Sequence, residues 1–239
     1  LWMNIWYQKD FQIVVLGVGL VVLFAIMFFQ DYLVRYPKLL HRVRMGYLTF
    51  TVVFIGWYAL GKLSIVNVLT FAHSIMHDFS WELFLSDPII FILWGVTAAI
   101  VLLWGRGVFC GWLCPFGALQ EIINEIARKI KIPQYDVPCA LHERLCAIKY
   151  IILLVLFGIS LEAMSAAEQY AEIEPFKTAI TLKFDRQWWF VLYAVILLVV
   201  NIFTRKVYCR YICPLGAALA IPTKLRLFDW LKRRKECGT

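Results

Sequence analysis

Charge is scarce in this sequence. Asp, Glu, Lys and Arg make up 17 % of its 239 residues and 62 % are hydrophobic, with a mean hydropathy of +0.73; ordinary soluble domains are about half apolar and about a quarter charged. Lipid, not water, is therefore expected to be the main solvent. A disulfide framework is missing as well: seven Cys is an odd count without paired spacing, and at least four of them sit where thiolates suit better than disulfides, which favours the reducing side of a membrane. The start, Leu1-Trp2-Met3-Asn4, has no basic region and no initiating Met, so no cleavable signal peptide is read there, and the sequence is expected to begin inside a longer protein. Finally, the net charge of +8 is not laid out as a basic stripe among exposed aromatics. That excludes a nucleic-acid partner and leaves the basic excess as a topology signal.

What is present is a series of apolar runs. A span needs about 20 apolar residues, and the segments 11–29, 46–66, 88–105, 147–164 and 188–204 approach or meet this. Arg35, Lys38, Arg42, Arg44, Arg106, Arg128, Lys129, Lys131, Arg144, Lys149 and the basic residues from Arg205 to Lys235 fall on one side. Only Lys9, Lys62, Lys177, Lys183 and Arg186 fall on the other. The positive-inside rule makes the first side cytoplasmic, with the N-terminus outside and the C-terminus inside. The expected fold is an all-α polytopic transmembrane helical bundle of about five spans. The outer segments 67–87 and 165–187 carry acidic residues, and Phe71 to Leu85 and Phe176 to Phe184 are apolar enough to lie as interfacial or re-entrant pieces.

A shift of 99 residues superposes Arg106-Gly-Val-Phe-Cys-Gly-Trp-Leu-Cys-Pro-Phe-Gly-Ala on Arg205-Lys-Val-Tyr-Cys-Arg-Tyr-Ile-Cys-Pro-Leu-Gly-Ala. A weaker pair, Leu40-His41 and Leu141-His142, precedes the second and fourth spans. The chain therefore divides into a first helix and basic loop (1–45), a first hairpin repeat (46–138) and a second hairpin repeat with a basic tail (139–239). Each repeat ends in a Cys-x-x-x-Cys-Pro motif facing the cytoplasm, which makes this a parallel repeat.

Pro suits the first position of a helix, so Pro115 and Pro214 should each open one. Phe116 to Lys131 has the spacing of an amphipathic surface helix. Cys114 and Cys213 then fall at N-caps, where free amides and the helix dipole are expected to favour thiolates. Cys110, Cys114, Cys209 and Cys213 give the four sulfurs that an iron-sulfur cluster or a structural zinc uses; helix-packing thiols are the plain alternative. Bacterial ferredoxin runs end in Cys-x-x-x-Cys-Pro, which leans toward iron-sulfur. Arg106 and Arg205 would offset the charge of a tetrathiolate site and also anchor the cytoplasmic side. Cys139 and Cys146 read as packing thiols, and Cys237 as the opening of a motif that the sequence does not contain. His73 and His77, four apart with Met76 beside them, could hold haem or copper on the outer side or simply be solvated. Lys62, Asn67, Glu174 and Lys177 could line a quinol pocket there.

Cys110-Gly-Trp-Leu-Cys-Pro-Phe-Gly-Ala-Leu-Gln and Cys209-Arg-Tyr-Ile-Cys-Pro-Leu-Gly-Ala resemble the paired membrane motifs of the NosR/NirI family, with NapH and CcoG as more distant relatives. Phe54-Ile-Gly-Trp-Tyr-Ala-Leu-Gly-Lys-Leu-Ser-Ile-Val-Asn-Val and Glu174-Pro-Phe-Lys-Thr-Ala-Ile narrow the resemblance within that family. It implies a larger protein of the bacterial inner membrane, with an extracytoplasmic FMN-binding domain before this part and two ferredoxin-like 4Fe-4S sites after it. It further implies electron delivery to, or maturation of, nitrous oxide reductase in denitrification. Copper or zinc handling for a partner enzyme, a quinol-oxidising subunit like NapH, and a purely structural anchor are the rival readings; whether the two Cys pairs meet within one chain or across a homodimer stays open.

Overall fold

The computed structural model describes residues 6–61, 63–76, 87–135, 138–162, 174–182 and 184–225, together with residue 170. All regular structure among them is helical. Helix α1 is Asp10–Phe28. Helix α2, Pro37–Phe50, runs on into a π-helical stretch, Thr51–Tyr58. Then follow α3 (Ile65–Met76), α4 (Pro88–Leu103), α5 (Pro115–Lys129), α6 (Cys139–Glu162), α7 (Trp188–Phe203) and the short α8 (Pro214–Ala218).

Asp10–Phe28 and, within α6, Arg144–Leu161 are long and apolar enough to cross a bilayer. Helices α4 and α7 are apolar but have 16 residues each, or about 24 Å at 1.5 Å per residue. Their surfaces are those of a membrane protein: on α6 Leu154 is 70 % exposed while Leu156 is buried, and on α1 Val14, Val18 and Val21 face outward while Leu16, Leu20 and Leu23 face the core. A helix that is apolar on both its inner and outer faces belongs in lipid.

The expected segment 46–66 is not one helix. The backbone widens to i→i−5 bonding and closes at Ala59 N to Phe54 O (2.7 Å) and Gly61 N to Ile55 O (2.9 Å), and Leu60 takes a left-handed φ of 50°. Gly61 fits here because a Cβ would lie 2.8 Å from Leu93 Cδ1. A new helix, α3, then starts at Ile65 and packs Ile65 and Leu69 against Leu156 of α6. On the same side, Lys9 Nζ donates to Asp87 Oδ1 at 2.8 Å, so α1 and α4 begin at the same end of the bundle. At the other end Tyr135 N donates to Phe203 O at 2.9 Å, tying the loop after α5 to the end of α7.

The segment expected to be interfacial or re-entrant, Phe176 to Phe184, packs into the protein. Phe176, Ala179 and Ile180 are buried against Phe116, Leu197 and Tyr208, with Cys114, Cys209 and Cys213 beside them. Just before this segment, the buried Glu174 caps α3 from far along the chain. Ser64 Oγ donates to its Oε2 at 2.6 Å and Ile65 N to its Oε1 at 3.1 Å. An unmade buried hydrogen bond costs about 1–3 kcal/mol. Glu174→Ala should therefore lower stability by at least about 2 kcal/mol, read as a fall in Tm of the detergent-solubilised protein; an unchanged Tm would remove the cap from the account.

Candidate metal centre

The two Cys motifs fold alike. Phe109–Leu113 and Tyr208–Ile212 are single π-helical turns, each closed by an i→i−5 bond: Cys114 N to Phe109 O and Cys213 N to Tyr208 O, both 2.9 Å. Such turns often mark functional sites. The second Cys then leaves the helical region, with φ −74° and ψ 113° at Cys114 and φ −61° and ψ 109° at Cys213. Pro115 and Pro214 start the next helix as expected, and each Cys is its N-cap: Cys114 Sγ accepts from Gly117 N at 3.4 Å and Cys213 Sγ from Gly216 N at 3.3 Å. Glycine at 117 keeps the backbone close, since a Cβ there would lie 2.9 Å from Cys110 O.

A π turn leaves carbonyls without their usual helical partner, and these are taken by side chains from the helix that opens each repeat. Thr51 Oγ1 donates to Trp112 O at 2.9 Å. Lys149 Nζ donates to Arg210 O at 3.2 Å. Below the first motif, the fully buried Asn201 joins α7 to α5: its Nδ2 donates to Gln120 O at 2.6 Å, its backbone O accepts from Asn124 Nδ2 at 3.1 Å, and its Oδ1 accepts from Lys206 N at 2.8 Å.

The structure brings all four predicted sulfurs together within one chain. Cys110, Cys114 and Cys213 pack against one core cluster and Cys114, Cys209 and Cys213 against the adjoining one, and the thiol of Cys213 senses the other three. Among the described residues, no three His, Cys, Asp or Glu converge closely enough to hold a metal ion. A tetrahedral zinc with Zn–S near 2.3 Å draws its sulfurs to within about 4 Å of each other, whereas a cluster spreads its four thiolates over four irons. Four thiols are the donor set that either an iron-sulfur cluster or a structural zinc takes.

The thiolate expectation is corrected. All four sulfurs are free and partly accessible, but protein surrounds them and solvates a thiolate poorly. Burial, then the neighbouring Cys110, pushes the Cys114 thiol up to about 12. Burial likewise raises Cys209 and Cys213 well above the ordinary thiol value. The Gly117 amide and Lys206 work the other way at Cys114 and do not prevail. Without a bound cation Cys114, Cys209 and Cys213 hold their protons, and a metal loaded onto them would have to displace those protons.

The cation that acts on Cys114 and Cys209 is Lys206. Arg205 is exposed and acts instead on Glu121, and the side chain of Arg106 lies outside the described residues. Lys206 sits at a left-handed φ of 52° and its Nζ contacts Glu121 Oε2 at 2.6 Å, while Arg44 contacts Glu121 Oε1 at 2.6 Å. Sequence reasoning missed Gln120, Glu121 and Lys206. The signal was available in the repeat: Gln120, Glu121 and Asn124 correspond to Leu219, Ala220 and Thr223, so at these three positions the first copy alone has buried polar groups. Two further polar atoms near the quartet have no hydrogen-bond partner among the described residues, Gln120 Nε2 and the Tyr208 hydroxyl.

Several of the other predicted sites fall where no description reaches. His77, Lys62 and Cys237 lie outside the described residues; of His73 only its place on α3 is described, and of Cys139 only its place on α6. Lys177 is exposed, Glu174 serves as the cap, and Cys146 Sγ lies 3.7 Å from His142 Nε2, whose ring bonds the Tyr211 hydroxyl. An apolar cavity of about 590 Å³ does open beside α8, lined among others by Leu69, Trp94, Thr97, Leu153, Phe157 and Leu219. Asn67, Glu174 and Lys177 do not line it.

A family model described as a 4Fe-4S binding domain matches residues 86–133 and 186–236, one match over each Cys motif. Regulatory protein NosR of Stutzerimonas stutzeri is 74 % identical over the whole chain, which covers 33 % of that protein. Regulatory protein NosR of Pseudomonas aeruginosa is 72 % identical, again over the whole chain and 33 % of that protein. Protein NirI of Paracoccus denitrificans is 50 % identical over the whole chain and 35 % of its own length. The chain thus spans about a third of the length of these curated relatives. No solved structure matches it.

Glu121 provides the pH dependence. Burial raises its pKa, but Lys206, Arg44 and Arg205 outweigh this and hold its carboxyl below the ordinary value of 4.5. A lowered folded pKa adds stability above the unfolded value, and that stability is lost as pH falls below it. Tm should therefore drop between about pH 5 and pH 3, and Glu121→Gln should flatten that drop. Glu121→Ala should cost about 3 kcal/mol at neutral pH, because it strands two cations. A Tm profile identical in the parent and Glu121→Gln would refute this linkage.

Proposed function

Because the chain belongs to the NosR/NirI family over the third of those proteins that it spans, we propose that it is the membrane-embedded electron-transfer module of a NosR-like iron-sulfur flavoprotein. One observation carries the reading: Cys110, Cys114, Cys209 and Cys213, supplied by two copies of one motif, meet inside one chain. These four are the ligands of an iron-sulfur cluster. Such a cluster, when bound, accepts and releases single electrons.

The protein's own residues prepare that place. The π turns aim the two Cys of each motif inward, the Gly117 and Gly216 amides point at Cys114 and Cys213 Sγ, and Lys206 supplies positive charge beside thiolates that would otherwise be poorly solvated. The re-entrant Phe176–Ile180 segment covers the quartet from the opposite side.

In the whole protein this module crosses the bacterial inner membrane five times, with the N-terminus periplasmic and the C-terminus cytoplasmic. It links an FMN on the periplasmic side to two 4Fe-4S clusters on the cytoplasmic side, in support of nitrous oxide reductase activity or maturation during denitrification. The distribution of Lys and Arg supports the orientation. The pairing of Lys9 with Asp87 puts the starts of α1 and α4 at one end of the bundle.

Anaerobically purified protein should contain iron and acid-labile sulfide and give an EPR signal on reduction, all lost when Cys110 and Cys209 are both changed to Ser. Zinc or copper without sulfide would shift the assignment to metal handling, and metal-free protein in both forms would leave the Cys residues to packing.

A second reading rests on the cavity beside α8, whose wall is apolar except for the buried, unpartnered Thr97 hydroxyl. A quinol has the matching chemistry, an apolar body with one hydrogen-bonding ring. Leu153→Trp, which fills the cavity, should slow quinol-linked reduction of the complete protein without changing its iron content; an unchanged rate would exclude this cavity as the quinol site.

A further inference from the structure

We infer that Gln120 is the hydrogen-bond donor to the Cys209 sulfur when the quartet carries its cluster, and that it thereby raises the reduction potential. The inference rests on the cluster assignment made above and adds to it a residue and a role. Gln120 is fully buried on α5, six residues beyond the Cys114 N-cap. The Cys209 thiol donates to its Oε1 at 3.3 Å, and its Nε2 has no partner among the described residues.

That arrangement suits a neutral thiol, which can donate, and does not suit a thiolate, which can only accept. Once the Cys209 proton has left, the amide gains by turning over so that Nε2 faces the sulfur. The turn replaces a contact between two acceptors with a charge-assisted N–H···S bond. Asn201 fixes the Gln120 backbone through its bond to Gln120 O at 2.6 Å, so the side chain is the part left free to choose.

The four sulfurs are not equivalent in this respect. Cys114 and Cys213 receive backbone amides, from Gly117 and Gly216, which no substitution removes. Cys209 faces a side chain. The repeat places Leu219 where the first copy has Gln120, so this donor is found in one half of the site only. Hydrogen bonds to cluster sulfurs stabilise the more negative reduced state and shift potentials upward.

The test is an EPR-monitored redox titration of the full chain in detergent, with iron and sulfide measured on the same samples. In Gln120→Leu, iron and sulfide should match the parent, the midpoint should move to lower potential, and an exchangeable-proton hyperfine coupling present in the parent should disappear. An unchanged midpoint with the cluster retained overturns the proposal. Should Gln120→Leu fail to keep its cluster, Gln120→Met, similar in length and without polar hydrogen, is titrated instead; loss of the cluster there too makes Gln120 a structural residue and also overturns it. Failure of the premise is separate: iron and sulfide that survive in the Cys110→Ser, Cys209→Ser protein would place the cluster elsewhere, whatever Gln120 does.

Discussion

Lipid offers no hydrogen bonds, so a helix that loosens inside or beside a membrane must find protein partners for every carbonyl it frees. Each Cys motif of this chain depends on meeting that constraint. The π turns Phe109–Leu113 and Tyr208–Ile212 are what let two Cys separated by three residues face the same point, and they free carbonyls in doing so. Thr51 takes Trp112 O and Lys149 takes Arg210 O. Both donors come from the helix that opens each repeat, α2 with its π extension in the first and α6 in the second. The hairpins therefore hold the geometry of the sulfurs directly. Lys149 illustrates the economy of the arrangement: the residue is only 5 % exposed, and its ammonium donates to Arg210 O, which the Cys146 thiol also approaches at 4.0 Å.

The two copies are alike in backbone and unlike in polarity. Both second Cys residues are N-caps, both are followed by Pro, and both accept an amide from a glycine three residues on. Beyond that point the first copy continues as the 15-residue α5 and the second stops after the five residues of α8. Only α5 brings Gln120, Glu121 and Asn124 into the interior, where Asn201 and Lys206 of the second copy meet them. The polar groups that join the two halves are thus contributed asymmetrically. Divergence of a duplicated unit has put the tie between copies where the duplicated bonds could not make it.

Much of this was legible in the residues. Pro115 and Pro214 as helix starts, Cys114 and Cys213 as caps, and the apolar helices all follow from local rules that need no tertiary information. The failures share a cause. Residues 46–66 read as one span because hydropathy registers the apolar run and not the packing of Gly61 against Leu93 that turns the chain. Arg205 was read as the counter-charge because a motif match selects the conserved-looking position of the repeat; the left-handed turn at Lys206 instead swings the next residue toward the quartet. Glu174 was read as a candidate lining of a quinol pocket and not as a cap, because its partner, the N-terminus of α3, is far away in sequence. Long-range pairings of this kind leave no periodic trace.

The same long-range packing decides the chemistry of the thiols. A helix N-terminus lowers a thiol pKa by a local electrostatic effect that fades within the first turn, and at Cys213 the helix behind it is short. Desolvation acts from all sides and is the larger effect at Cys114, Cys209 and Cys213. A site that left four thiolates bare in this setting would repel itself apart, so neutral thiols are the state in which the bundle can fold before anything binds. Lys206 does not reverse that balance, because Glu121 already takes up its charge. If a cluster were bound, Cys110, Cys114, Cys209 and Cys213 would hold it as thiolates, and Lys206, paired with the Glu121 that Arg44 also holds, would stand beside them as positive charge.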